Sequence, residues 1–237
     1  MNAEDLFFEC KYYVSELKER CVHLMRNREY SQTAKYPFKL MSFINSMNWR
    51  MYETARAAIL LMENNLVLPS LGLVRACWEN MAVTYELMVL VRTCCEKSII
   101  DDSVDVTLMR AMFSNRYEKG DQYVSAEHYE AFKDYRAKNI LTLIQKVEKD
   151  YPETKNFYSN LCEFVHPNGD GVVGSYSQLD EVSDMTFFGP QINTESPLFP
   201  AFITTLSCAV SLYLSFEGSI TANMSTFAGL CEINLKQ

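Results

Sequence analysis

The chain has 237 residues, 48% of them hydrophobic, and carries a formal net charge of −8. It is long enough to bury a sizeable core and too evenly composed for a disordered or low-complexity protein, so a single domain over residues 1–237 is expected. The charge is unevenly placed: residues 1–159 hold 21 basic and 22 acidic groups, whereas 160–237 hold eight acids against Lys236 alone, which disfavours broad binding to a phosphate backbone.

Helical periodicity dominates the first two thirds. Leu6, Tyr13, Leu17, Cys21 and Leu24 recur every three or four residues and predict a first helix from about 4 to 28. A break at "NREYSQTAKYP" precedes a second helix, about 38 to 64, which stops at "ENNLVLP". The third, about 70 to 96, follows Pro69 with Ser70 as its N-cap and is apolar nearly all round, the pattern of a helix at the centre of a bundle. Within its stretch 71–91 the charged interruptions, Arg75, Glu79 and Glu86, fall on one face. They make either a solvated, salt-bridged stripe or a polar seam facing a pocket, and a buried seam requires every charge to have a partner.

A shorter helix, about 103 to 119, is closed by Gly120, and a fifth runs from about 126 to 149. The sixth covers "YPETKNFYSNLCEFVH", with Pro152 in its first turn. After "HPNGDG" the period changes. "VVGSYS" and "MTFFG", separated by "QLDEVSD", predict a small β-hairpin within 172–189. A last helix, about 198 to 224, carries no charge from Ser196 through Phe216. Its hydroxyl residues, and the lack of Lys or Arg clusters beside it, favour a buried core or dimer-interface helix over a membrane span. Ser207, Ser211 and Ser215 make a stripe of small groups that lets another helix approach closely. The fold class is therefore all-α: a single-domain bundle of about seven helices, core about 38–225, with a small β-hairpin inserted before the last helix.

Chemistry-bearing motifs are few. The eight cysteines form no C-x-x-C and the three histidines no H-x-x-x-H, so reduced thiols in a cytoplasmic protein are expected, with no metal site and no cofactor. Gly169, Gly171 and Gly174 match G-x-G-x-x-G, but a helix precedes them and a strand follows, the reverse of a dinucleotide-binding unit; they are read as a turn. The basic stretch 11–39 is read as the solvated face of a helix rather than an RNA-binding strip. Cys162 and His166 share a helical face, yet nothing supplies an oxyanion hole, so Cys162 is read as packing. His166 ends its helix, where the helix dipole favours a protonated imidazole.

Two short motifs together, R-x-x-x-E at Arg75 and Glu79 and a loose S-x-x-x-H-P-like segment at Ser159, His166 and Pro167, resemble bacterial helical families similar to the HEPN superfamily. That resemblance implies an all-helical, often dimeric protein of toxin–antitoxin, immunity or phage-defence systems. The HEPN ribonuclease signature, R-x(4–6)-H, places an arginine five to seven positions before its histidine, where Ser159, Asn160 and Leu161 stand before His166 here. On this resemblance the chain is expected to be an interaction or regulatory module, a homodimer, with a further protein partner and no membrane. The alternative is a metal-independent endoribonuclease acting on RNA, with His166 as general acid or base, Arg75 as phosphate clamp, Glu79 orienting Arg75, and Tyr158, Asn160 and Asn168 in binding roles.

Overall fold

The computed structural model describes residues 3–26, 28–113 and 136–234. Among these are α1 (Ala3–Glu19), α2 (Tyr36–Glu63), α3 (Val67–Lys97), α4 (Asp102–Phe113), α5 (Ile140–Asp150) and α6 (Thr154–Val165). A π-helical turn (Gly169–Gly174), strands β1 (Ser177–Asp180) and β2 (Met185–Phe188), and α7 (Phe199–Asn234) complete the order. The fold is thus all-α, with a two-stranded antiparallel hairpin before the last helix, as expected.

Chain contacts define two compact units, and α2, α3, α5 and α7 lend one part to each. The first comprises Met1–Cys21, Asn48–Met81 and Ile144–Tyr213. Its core holds Leu17, Met51, Leu71, Trp78, Tyr158 and Leu206. Most of the buried polar groups described there are paired, as a low-dielectric interior demands, with the Ser207 hydroxyl an exception. Asn48 accepts the Tyr213 hydroxyl at 2.7 Å and donates to the Arg20 carbonyl at 3.2 Å, while Trp78 Nε1 donates to the Thr205 carbonyl at 3.1 Å. The second unit comprises Val22–Met47, Ala82–Leu143 and Leu214–Gln237, with Leu40, Ile44, Leu87, Leu108, Phe216 and Phe227 in its core. Ser31 donates to Glu232 at 2.6 Å within it, and Tyr85 meets Phe216 edge-on at 5.2 Å.

Several boundaries differ from the sequence reading, each for a local reason. α1 ends at Glu19 rather than near 28, closed by short turns from Arg20 N to Leu17 O and Cys21 N to Lys18 O, and Leu24 is 86% exposed instead of core. α2 ends in a Schellman-type turn: Leu66 N reaches back to Leu61 O at 2.8 Å, and Asn65 takes φ 61°, a left-handed value that asparagine tolerates. α5 starts at Ile140 because the Asn139 side chain caps it, accepting the Leu141 amide at 2.9 Å. The parts of the predicted fourth and fifth helices between 114 and 135 lie outside the described residues. α7 continues to Asn234, ten residues beyond the expected end, because Met224, Phe227, Ala228 and Cys231 keep a buried face at three- and four-residue spacing. It is long and apolar enough to cross a membrane, and 61% of its most apolar window is buried inside the fold.

The hairpin is also shifted. Val172, Val173 and Gly174 belong to the π-helical turn, not to a strand, and the pairing runs from Ser177–Phe188 to Asp180–Met185. Asn168 nucleates the turn by accepting the Gly171 amide at 2.8 Å, and Ser175 closes it by donating to the Asp170 carbonyl at 2.7 Å.

All eight cysteines are free. Burial pushes the Cys10 and Cys94 thiols up to about 11 and Cys231 up to about 12, and it raises fully buried Cys77 further. Because these folded values exceed the ordinary thiol value of about 8.5, their contribution is fully present below that pH and is lost as pH rises towards 11. Urea midpoints are expected to hold steady up to about pH 8.5 and to fall progressively above it. A midpoint unchanged at pH 10.5, to within error, is the outcome that contradicts this account.

Candidate functional site

Arg75 and Glu79 sit one turn apart on α3, and their pairing follows from i,i+4 geometry. Arg75 Nε lies 3.1 Å from Glu79 Oε1. Tyr158, on α6, joins them from outside the helix: its ring is buried, its hydroxyl donates to the same Glu79 oxygen at 2.9 Å, and it accepts from Arg75 Nε at 3.3 Å. The Arg75 guanidinium also stands 5.6 Å from the Tyr158 ring centre, within cation–π range. Burial first, and then the Glu79 carboxylate holding its proton, push the Tyr158 hydroxyl up to about 12, with Arg75 pulling the other way. Tyr158 therefore remains a neutral donor at physiological pH.

α6 is set in place by aromatic contacts on two sides. Phe157 stacks on Trp78 of α3 with ring centres 5.7 Å apart, and Phe164 meets Phe202 of α7 edge-on at 5.2 Å. These rings explain why Tyr158 arrives at the Arg75–Glu79 pair. The third charge of the predicted seam, Glu86, is paired elsewhere, with Lys138.

The remaining predicted site residues lie apart from this triangle. His166 caps α6 in an extended conformation, φ −74° and ψ 145°, as expected of a residue followed by proline. Its amide donates to the Cys162 carbonyl at 2.9 Å, while its exposed imidazole makes no hydrogen bond or ion pair with a described residue. It stands eight positions after Tyr158, a rise of about 12 Å along the helix axis. Asn160 is exposed on α6. Asn168 is structural, since its Nδ2 donates to Glu163 at 2.6 Å while its Oδ1 holds the π-helical turn. The structure thus brings together Arg75, Glu79 and Tyr158, and does not join His166, Asn160 or Asn168 to them. Among the described residues, no three His, Cys, Asp or Glu side chains cluster as metal ligands.

Gly171 explains the glycine of "NGDG". A Cβ there would stand 2.0 Å from the His166 carbonyl oxygen and 3.0 Å from those of Glu163 and Phe164, all backbone atoms of the α6 terminus. Gly171→Ala is expected to cost about 2–3 kcal/mol by forced displacement. A thermal denaturation scan checks it, and an unchanged midpoint contradicts the packing described.

Chemically the triangle is a closed, partly buried hydrogen-bonded set. Arg75 Nε is occupied, but the terminal amino groups of this side chain, 27% exposed, have no partner among the described residues. They can still donate to an anionic or carbonyl ligand.

The hairpin presents a different kind of surface, one the sequence reading missed. Val182 is 96% exposed and Phe188 84%, and Leu179, Met185 and Phe187 are also exposed, so both faces of β2 show large apolar groups to solvent. The signal was present in "MTFFG", whose adjacent phenylalanines must point to opposite faces of a strand.

No family model, no curated protein and no solved structure matches this chain.

Proposed function

We propose that this protein is a cytoplasmic, non-catalytic interaction or regulatory module that docks a partner protein through the hairpin of β1 and β2. The observation that carries the reading is the exposed apolar hairpin, because a soluble chain rarely leaves adjacent large apolar groups uncovered outside an interaction site. A two-stranded hairpin is marginal alone, and a partner strand or loop laid against it adds main-chain bonds as well as apolar contact. Charge specifies the partner's chemistry. Asp180, Glu181 and Asp184 surround the apolar groups, and residues 156–235 contain no Lys or Arg. A basic, apolar-faced segment of another protein complements this surface. A second copy brings no basic group from its own 156–235 to these acids, so a homodimer formed hairpin to hairpin draws no support from charge. The toxin–antitoxin, immunity or phage-defence setting rests on that resemblance.

A second reading, the metal-independent endoribonuclease, is favoured by the terminal amino groups of Arg75, which have no partner among the described residues and suit a phosphate clamp. Against it stands the separation of His166 from the Arg75 triangle. The two are distinguished by expressing wild type, Arg75→Ala, His166→Ala and Phe187→Ser/Phe188→Ser in the same cells. The module reading expects intact RNA throughout and a changed growth phenotype only in the hairpin variant. RNA cleavage by wild type that both alanine variants abolish overturns it.

A further inference from the structure

The first unit contains a cavity of about 480 Å³, within the range of small-molecule sites. It opens between α1, the end of α5 with the start of α6, and α7. Three properties of its wall select a ligand. Tyr13 and Phe157 supply aromatic surface, with buried Trp78 stacked against Phe157. Glu9 and Asp150 supply negative charge, and among the described residues no Lys, Arg or His lines the cavity. Glu9 Oε1 accepts the Tyr13 hydroxyl at 2.9 Å, whereas its Oε2 makes no hydrogen bond with a described residue.

The third property is an unmet polar group. Ser207 is only 8% exposed, and its hydroxyl has no oxygen or nitrogen partner; it sits by the Cys10 thiol, a weak hydrogen-bonding group. It belongs to the cavity wall with Ser211 one turn on, so these two small residues of the stripe expected to pack a helix instead leave room for the cavity. A buried hydroxyl of this kind calls for a ligand atom or water.

We propose that this cavity binds a hydroxyl-bearing organic cation, an alkylammonium on a compact body. Its charge is met by the free oxygen of Glu9, its methyl or methylene groups lie against Tyr13 and Phe157, and its hydroxyl completes Ser207. Aromatic faces beside a carboxylate are the chemistry that distinguishes a cation from a neutral molecule of equal size. The site lies apart from the hairpin residues and does not depend on the docking role.

The probes are choline, its neutral isostere 3,3-dimethylbutan-1-ol, and tetramethylammonium, titrated calorimetrically into the full chain. Choline is expected to bind at least about ten-fold more tightly than the neutral isostere. Glu9→Gln is expected to weaken choline about ten-fold and to leave the isostere unchanged; Ser207→Ala weakens choline but not tetramethylammonium. Phe157→Leu provides a second, charge-neutral variant that weakens both cations. Equal affinity for choline and its isostere overturns the proposal, as does the absence of choline saturation up to about 10 mM.

Discussion

Replacing Trp78 with alanine is expected to remove about 3–5 kcal/mol of stability, the largest effect of any single substitution considered for this chain. Three contributions combine at this residue. The indole is 1% exposed, so its whole apolar surface leaves water on folding. Its Nε1 donates to the Thr205 carbonyl at 3.1 Å, which ties α3 to α7 within the first unit. Its ring stacks on Phe157, which fixes the rotation of α6 and with it the delivery of Tyr158 to Arg75 and Glu79. Trp78→Phe keeps the ring and loses the hydrogen bond, so a smaller loss of about 1–2 kcal/mol is expected. Urea denaturation followed by far-ultraviolet circular dichroism measures both. A Trp78→Ala loss below about 1 kcal/mol would show that the indole is not the packing centre of this unit.

The helices of this protein are legible in its sequence because their burial is periodic. α2, α3 and α7 keep apolar groups at three- and four-residue spacing over many turns, and α3 reads as central because only Arg75, Glu79 and Glu86 interrupt its stretch from 71 to 91. What stays hidden is long-range. The i,i+4 pair of Arg75 and Glu79 is visible from spacing, but Tyr158 enters only because Phe157 and Phe164 find rings on two other helices. "VVGSYS" resembles a strand by composition, and its first half is drawn into a π-helical turn by the Asn168 cap and by the close approach of Gly171 to the α6 terminus. Neither contact leaves a periodic trace. The cavity is likewise invisible beforehand, since Glu9, Trp78 and Ser207 come from three distant stretches of chain.

The second large effect concerns binding rather than stability. Phe187→Ser/Phe188→Ser is expected to leave the thermal midpoint within a few degrees of wild type, because the two rings are 54% and 84% exposed and contribute little to the core. Partner affinity is expected to fall at least about 100-fold, since buried aromatic anchors at the centre of an interface carry most of its energy. Neutralising Glu181 and Asp184 (Glu181→Gln/Asp184→Asn) is expected to act differently, with Asp180 left in place because its carboxylate holds the Val182 amide and the Ser183 hydroxyl in the turn. It slows association and weakens its salt dependence, because rim charges steer encounter more than they hold the complex. A double phenylalanine variant that binds as well as wild type contradicts the assignment of the hairpin as the docking surface.

The most direct measurement places a photo-crosslinking phenylalanine analogue at position 188, and a control at exposed Leu60 on α2, in the native cell. The account predicts one discrete adduct at position 188 and none at position 60, with the crosslinked peptide mapping to a Lys- or Arg-flanked apolar segment of another protein. An adduct to nucleic acid, an adduct to a second copy of this chain, or no adduct at position 188 contradicts it.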